Sequence, residues 1–248
     1  STGVLSDAEM NAARKRIKGE IAEAVEVAFS EPPVVPDMAA ELRDVYSNNT
    51  PIVIAPTTPA TKEVRFIEAV SDGLRESMRR HPNLVLMGQD IADYGGAFKV
   101  TDGMMAEFGK DRVRNTPLCE SAILGAGLGL SIAGMKSMVE MQFADFVSEG
   151  MTQICNNLAK AHWRWGQNAD VVVRMPTGAG AGAGPFHSQS NEAWFFKIPG
   201  LKIVYPAFPN DAKGLLCAAL EDPDPVMYFE HKMLYRSLTG QVQEGFFT

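Results

Sequence analysis

The sequence has few cysteines and none in a paired pattern. Cys119, Cys155 and Cys217 are the three cysteines among 248 residues. They show neither CxxC nor Cys/His spacing, so a disulfide framework and a structural zinc site are not expected. This usage is typical of a reducing compartment, and we expect a cytoplasmic protein.

Long apolar runs and an excess of basic residues are also lacking. No apolar run approaches the roughly 20 residues that span a bilayer, and no basic segment followed by an apolar one opens the chain. The 23 Lys and Arg are outnumbered by 30 Asp and Glu, which gives a net charge of −7. Nucleic acids and anionic membranes favour basic surfaces, so we expect neither as a partner.

The nucleotide-binding motifs are absent as well. No GxxxxGK[ST] pattern occurs, which argues against a P-loop nucleotidase. The glycines at 125–129 lie inside a predicted helix, and those at 178–184 lead into a loop that carries His187. A dinucleotide fingerprint needs its glycines between a strand and the start of a helix. Neither run therefore predicts dinucleotide binding.

Residues 1–60 are predicted to form a helical arm and a linker. Ser6 and Glu9 form a capping-box pattern, and Ile17, Ile21, Val25 and Ala28 share one stripe of the helix that follows. A second short helix is predicted over 38–46, and the polar, proline-containing segments 48–51 and 56–59 indicate an extended linker. The arm has too little apolar surface to fold alone, so we expect it to pack on another chain or domain.

Residues 61–248 alternate between helical and strand patterns. Apolar strands without inside/outside alternation, separated by helices, predict a parallel sheet covered by helices on both faces, so the fold class is α/β. The segments behind this prediction are strands near 84–87, 113, 138–141, 171–173, 203–205 and 226–229, and helices near 66–78, 121–133, 146–158 and 211–220. In such sheets ligands bind at the carboxyl ends of the strands.

Three residues follow successive predicted strands and are candidates for chemistry. Glu120 has a purely structural alternative, since an acidic residue at the amino end of a helix is favoured by the helix dipole. His187 could be a loop histidine without a task, and Phe146 could be a core aromatic. Their common position after strands favours a shared site.

Several long segments, in order along 63–236, resemble the beta subunit of the decarboxylating first component of 2-oxo acid dehydrogenase complexes. They are LVLMGQDIADYGGAFKVT, NTPLCESAILGAGLGLSIAG, VEMQFADF, VVVRMP, FHSQSNEAWFFKIPGLKIVYP, NDAKGLLCAALEDPDPV and MYFEHKMLYR. The resemblance implies the pyrimidine-binding domain of a thiamine-diphosphate enzyme, similar to a domain of transketolase.

The resemblance also implies a role for individual residues. Glu120 matches the carboxyl that hydrogen-bonds N1′ of the cofactor's aminopyrimidine and favours its imino tautomer, and Phe146 matches the aromatic that stacks on that ring. Leu118 and Gln142 match neighbouring positions of the cofactor pocket. His187 matches a histidine that donates or accepts a proton near the 2-oxo acid and the lipoyl group.

The metal and the partners follow from the same resemblance. The resemblance implies that magnesium is held by a Gly-Asp-Gly motif on an alpha-like domain. The nearest match to this motif in the present chain, at 71–73, lies within a predicted helix. We therefore expect no metal ligand in this chain. The expected partners are an alpha-like domain or subunit, a second copy of the chain, and a lipoyl-bearing acyltransferase. The arm resembles an alpha-subunit tail, so we expect a piece of a fused alpha/beta chain, inactive alone.

Two alternatives stay open at this point. A transketolase-like transferase would share the pyrimidine domain and act on sugar phosphates, and a non-catalytic docking module would retain the fold without the chemistry. The choice of 2-oxo acid is not readable from the sequence.

Overall fold

A computed structural model describes residues 4–48, 50 and 52–248. The chain forms two compact units, Ser1–Ala39 and Ala40–Thr248. Asn49 and Pro51 of the predicted linker lie outside the described residues. The predicted domain boundary at 60/61 stays a prediction. Part of the predicted linker packs within the second unit, since the Ile54 amide donates to Thr248 Oγ1 at 2.7 Å.

The first unit consists mainly of helix α1, Asp7–Ser30. The predicted capping box is present, since the Ser6 hydroxyl accepts from the Glu9 amide and the Glu9 carboxylate accepts from the Ser6 amide. No residue of α1 is buried. Helix α2, Met38–Arg43, ends three residues before the predicted Tyr46.

The second unit contains the remaining helices and strands. In chain order they are β1 Thr61–Arg65, α3 Phe66–Arg80, β2 Leu84–Gly88, α4 Met104–Phe108, β3 Val113–Asn115, α5 Glu120–Ile132, β4 Lys136–Glu140, α6 Ala161–Trp165, β5 Val171–Thr177, β6 Lys202–Val204, α7 Pro209–Glu221, β7 Val226–His231, α8 Leu234–Ser237 and β8 Thr239–Gln243.

Six strands form a parallel sheet in the order β3-β2-β4-β5-β7-β6. Successive side chains of a strand point to opposite faces. Leu84 and Leu86 accordingly pack in one core with α3 and α7, while Val85 and Met87 pack in a second core with α5. Both faces are therefore covered by helices, which confirms the predicted α/β class.

Two features differ from the prediction. Strands β1 and β8 pair as a separate antiparallel ribbon that the sequence pattern did not indicate. The helix predicted over 146–158 is instead a 3₁₀ segment, Ala144–Gly150, followed by a π-helical segment, Gln153–Leu158. Gly150 packs so closely on α5 that an added Cβ would lie 2.1 Å from Leu124 Cδ1, and this close approach accounts for the irregular helix.

Within the described residues, no helix is long and apolar enough to cross a membrane.

Candidate functional site

The carboxyl ends of the six parallel strands lie along one edge of the sheet, and the candidate residues follow these ends. Gln89 comes directly after β2, and Glu120 follows β3 by a short loop. Phe146 follows β4, His187 follows β5, and Lys232 comes directly after β7. Neighbouring strands are about 4.8 Å apart, so these five residues are distributed over adjacent strands of a single edge.

Glu120 is the first residue of α5 and is partly buried. Its Oε1 accepts a hydrogen bond from Gln89 Nε2 at 2.9 Å. Gln89 is only 5% exposed, and its own Oε1 has no partner among the described residues. The buried amide therefore fixes one oxygen of the carboxylate.

Glu120 lines an open groove of about 500 Å³. The groove is lined by Leu118, Cys119, Glu120, Ser121, Ala122, Gly125, Glu149 and Gln153. Leu118, which was predicted to lie in the cofactor pocket, is 81% exposed and lies at the rim of the groove rather than in its interior. The groove offers both a carboxylate and apolar surface to a ligand of small-molecule size.

Phe146 and His187 contact each other. Their ring centroids are 5.4 Å apart with planes at 84°, and Phe143 completes the cluster at 4.7 Å from His187 and 5.8 Å from Phe146. These are edge-to-face arrangements, which aromatic rings favour. Two phenyl rings thus restrict the orientation of the imidazole. The partly buried Gln142 directly precedes Phe143.

The loop that carries His187 is tied to the sheet on both sides. Asp145 Oδ1 accepts from the Gln189 amide at 3.0 Å, and Asn191 Nδ2 donates to the Ala144 carbonyl at 2.7 Å. The Gly178 amide donates to the Gln189 carbonyl at 2.9 Å. His187 is therefore held at the edge of the sheet even though the loop before it is glycine-rich.

Lys232 supports the same loop from β7. Its Nζ donates to the His187 carbonyl at 2.7 Å and lies 5.1 Å from the centroid of the Phe143 ring. Burial lowers the pKa of this ammonium, with the Asp145 carboxylate opposing. No carboxylate in the described part of the chain forms an ion pair with Lys232, so its hydrogen bond to the loop is its main polar contact.

A buried ionic network lies within the same strands. Arg174 of β5 donates to both oxygens of Glu230 at 2.5 and 2.7 Å and also to Glu140 Oε2. Tyr235 donates its hydroxyl proton to Glu230 Oε2 at 2.5 Å. Burial raises the pKa of Glu140, although Arg174 opposes the shift. The network joins β4, β5 and β7 beneath the site.

The predicted site residues thus form two groups. Glu120 and Leu118 belong to the groove, whereas Phe146 and His187 belong to the aromatic cluster and Gln142 directly precedes its Phe143. The 3₁₀ segment that carries Phe146 also packs against the start of α5. An added Cβ on Gly150, the last residue of this segment, would lie 3.7 Å from the Glu120 carbonyl oxygen. Among the described residues, no hydrogen bond or ring contact links Glu120 directly to His187.

Sequence reasoning missed Gln89, Lys232 and Asp145. Gln89 and Lys232 directly follow a strand, and Asp145 is the second residue of the segment after β4, so the rule that placed the other candidates could have found them. Among the described residues, no three His, Cys, Asp or Glu side chains come together as a metal site.

Comparison with known families gives one match over most of the second unit. The family model described as "Transketolase, pyrimidine binding domain" matches residues 62–237. A solved chain described as split gene transketolase, in an inactive beta4 tetramer, aligns with a TM-score of 0.52 at 20% identity, covering 73% of this chain and 52% of that one. At this identity the structural match bears on the fold alone.

Curated relatives are closer in sequence. The chain is 46% identical over 179 residues to the 2-oxoisovalerate dehydrogenase subunit beta of Bacillus subtilis, covering 71% of this chain and 55% of the relative. It is 39% identical over 184 residues to the pyruvate dehydrogenase E1 component subunit beta of Staphylococcus epidermidis, covering 73% and 57%. The chain therefore spans about half the length of the curated relatives it matches.

Proposed function

This chain belongs to the family of transketolase pyrimidine-binding domains, and from that premise we propose that it binds and activates the aminopyrimidine of thiamine diphosphate in a 2-oxo acid dehydrogenase. The reaction is loss of carbon dioxide from a 2-oxo acid, followed by transfer of the remaining group to a lipoyl disulfide, whose reduction oxidises that group to an acyl thioester. One observation carries the proposal. Glu120 faces a groove at the carboxyl edge of the sheet with one oxygen already held by Gln89.

The residues present fit an aminopyrimidine. The groove of about 500 Å³ has room for the ring, the Glu120 carboxylate lies in its wall, and the Phe146 ring is only partly buried. A planar heteroaromatic ring needs a hydrogen-bonding group at its edge and an apolar surface at its face. Glu120 supplies the first from the wall of the groove, with Leu118 at the rim. We assign the second to Phe146, which lies in the neighbouring aromatic cluster and not among the residues that line the groove, with Gln142 beside that cluster.

Glu120 has one chemical task in this proposal. Thiamine diphosphate, when bound, supplies the electron sink that makes the decarboxylation feasible. With the cofactor bound, the Glu120 carboxyl would hold a proton at the pyrimidine N1′ and would so favour the imino form of the ring. Gln89 orients the carboxyl for this task by donating to Oε1, which leaves Oε2 available to the ring nitrogen.

His187 acts on the substrate side of the site. Its imidazole donates or accepts a proton near the 2-oxo acid or the lipoyl group. The packing against Phe143 and Phe146, together with the hydrogen bond from Lys232 to its carbonyl, supports this role because both restrict where the imidazole points.

The remaining parts of the enzyme lie on partners. An alpha-like domain or subunit holds the diphosphate and magnesium, a second copy completes the dimer, and a lipoyl-bearing acyltransferase receives the acyl group. The relatives are subunits of 2-oxoisovalerate and pyruvate dehydrogenases, and both substrates therefore belong in the test.

The experiment compares substrates on the enzyme assembled with its alpha-like partner. Turnover is measured with thiamine diphosphate, magnesium and an artificial electron acceptor for pyruvate and 2-oxoisovalerate, and transfer from a ketose phosphate is measured separately. We expect turnover of at least one 2-oxo acid and none of the sugar phosphate. Transfer from the sugar phosphate would assign the chain to the transketolase-like alternative, and a complete lack of turnover would favour the docking module.

A further inference from the structure

A second cavity of the second unit shares no lining residue with the groove around Glu120. Its volume is about 300 Å³, and most of its lining side chains are apolar. The lining residues are Glu41, Leu42, Val45, Ala159, Lys160, Trp163 and Pro199. Apolar walls with a small number of polar groups are typical of small-molecule sites, and this volume lies at the lower end of their range.

The segment 41–47 forms one wall of the cavity and is fixed to the rest of the unit at both ends. At its start, Trp163 Nε1 donates to Glu41 Oε2 at 2.8 Å. Near its end, the Tyr46 hydroxyl donates to the Leu201 carbonyl at 3.2 Å. The wall is therefore held in place by hydrogen bonds to two different parts of the unit.

The opposite wall is formed by closely packed backbone. Ala159 is buried, and an added Cβ on Gly200 would lie 1.9 Å from the Ala159 carbonyl oxygen, so Pro199 is held directly beside this contact. Between the two walls, Leu42 and Trp163 are 68% and 47% exposed. A small apolar group bound in the cavity would remove this surface from water, which is favourable.

Two groups of opposite charge line the same cavity. The indole of Trp163 holds Glu41 Oε2, and no described residue is bound to Glu41 Oε1. Lys160 Nζ donates to Asn156 Oδ1 at 3.1 Å, and an ammonium has two further N–H groups to donate. Neither charge is neutralised by an ion pair in the described part of the chain. The cavity therefore offers one acceptor and one donor of full charge beside an apolar interior.

We propose that this cavity binds a free α-amino acid with an apolar side chain. The side chain fills the apolar interior, the ammonium donates to Glu41 Oε1, and the carboxylate accepts from Lys160 Nζ. Both charges of such a molecule are attached to the carbon that carries the side chain. A 2-oxo acid with the same side chain has no ammonium, and a residue within a peptide has neither charge. The two charges of the cavity therefore select the amino acid, independently of the proposed function.

Titration calorimetry of the full chain tests this selection with three probes that share one side chain. They are L-leucine, the 2-oxo acid with the leucine side chain, and N-acetyl-leucinamide, which lacks both charges. We expect leucine to bind saturably with a millimolar dissociation constant and the other two to bind at least about tenfold more weakly. Absence of saturable leucine binding would overturn the proposal. Equal binding of the 2-oxo acid or of N-acetyl-leucinamide would also overturn it, in favour of a carboxylate site or a peptide-docking site.

Two substitutions assign the charges. In Glu41→Gln the amide oxygen still accepts from Trp163, so the wall is retained while the charge is lost. We expect this variant, and separately Lys160→Gln, to bind leucine about tenfold more weakly. The matched control Glu63→Gln neutralises an exposed carboxylate outside the cavity and is expected to bind as the wild type does. Wild-type affinity in Glu41→Gln or in Lys160→Gln would contradict the proposed recognition.

Tryptophan fluorescence locates the bound leucine. We expect leucine to change the emission of the wild type and of Trp165→Phe, because Trp165 lies on the same helix, α6, but does not line the cavity. We expect no such change in Trp163→Phe. A change of undiminished size in Trp163→Phe would place leucine elsewhere and overturn the proposal, whether or not the assembled enzyme turns over a 2-oxo acid.

Discussion

A single buried amide sets the position of the Glu120 carboxylate. Gln89 donates to Glu120 Oε1 at 2.9 Å, while the amide oxygen of Gln89 has no partner among the described residues. A hydrogen bond to a charged group contributes about 1.5 to 3 kcal/mol, whereas an unpaired buried oxygen costs about 1 to 3 kcal/mol. Gln89 therefore contributes little net free energy to folding, while its hydrogen bond orients the Glu120 carboxylate.

The Gln89→Leu variant separates these two effects. We expect its free energy of unfolding to stay within about 1 kcal/mol of the wild type, because the lost hydrogen bond and the removed orphan oxygen offset each other. We expect thiamine diphosphate to bind the assembled enzyme about tenfold more weakly, since Glu120 loses its orienting donor. Urea unfolding and a cofactor titration measure the two quantities, and unchanged cofactor affinity would contradict the role given to Gln89.

Lys232 holds the His187 loop through one hydrogen bond. In Lys232→Met the apolar stem is retained, and the cost of burying the ammonium is removed. We therefore expect little change in global stability but cleavage after the exposed Phe186 by chymotrypsin to become several-fold faster. The matched control is Lys197→Met, because Lys197 is exposed and takes no part in the hydrogen bond between Lys232 and the His187 loop. Equal cleavage rates in the two variants would show that Lys232 does not anchor the loop.

At the level of the elements, Arg174 ties three strands together. It is fully buried between Glu140 of β4 and Glu230 of β7. Removal of one partner from a buried ionic group leaves an uncompensated charge and typically costs about 3 to 5 kcal/mol. We expect Arg174→Met to lose stability in that range at neutral pH in urea unfolding. The exposed Arg79, paired with Glu107, provides the control, and Arg79→Met is expected to lose less than about 1 kcal/mol.

The same variant has a defined pH dependence. Burial raises the pKa of Glu140, so the folded state takes up the proton at a higher pH than the unfolded chain. The stability contributed by that carboxyl is therefore fully present below its unfolded pKa of about 4.5 and is lost as the pH rises through the folded value. We expect the deficit of Arg174→Met to shrink as the pH is lowered from 7 towards 5. A deficit that grows on acidification would contradict this assignment.

The elements themselves were largely predictable from the sequence. In α3 the predicted apolar stripe is fully buried, and it consists of Phe66, Val70, Leu74 and Met78. The apolar strands lie where the pattern placed them, because a strand that is buried on both faces requires a continuous apolar run. The ionic network was not predictable, since Glu140, Arg174 and Glu230 meet only through the strand order β4-β5-β7. The irregular segment after β4 likewise depends on how Gly150 packs against Leu124.

For the site, sequence reasoning placed Glu120, Phe146 and His187 after successive strands, and in the structure they follow strand ends along one edge of the sheet. It did not predict which of them touch. The contact between Phe146 and His187 depends on a loop folded back onto Asp145 and Lys232, and the contact between Gln89 and Glu120 depends on β2 lying beside β3. Such contacts between distant residues carry no periodic signal.

At the scale of the whole molecule, the second unit presents an open groove on a rigid sheet edge. The groove is bordered by the exposed Leu118, and the chain spans about half the length of its curated relatives. In the proposed enzyme an alpha-like partner closes this groove over the cofactor, which excludes water and strengthens the interaction of Glu120 with the ring. The role of Glu120 therefore has to be measured on the assembled enzyme.

The most direct measurement is the rate at which the C2 proton of bound thiamine diphosphate exchanges with deuterium in the assembled enzyme. We predict that Glu120→Gln slows this exchange by about a hundredfold or more. The control Asp211→Asn, which neutralises an exposed carboxylate in the first turn of α7, is predicted to leave the rate unchanged. Wild-type exchange in the folded, cofactor-bound Glu120→Gln enzyme would contradict the role of Glu120.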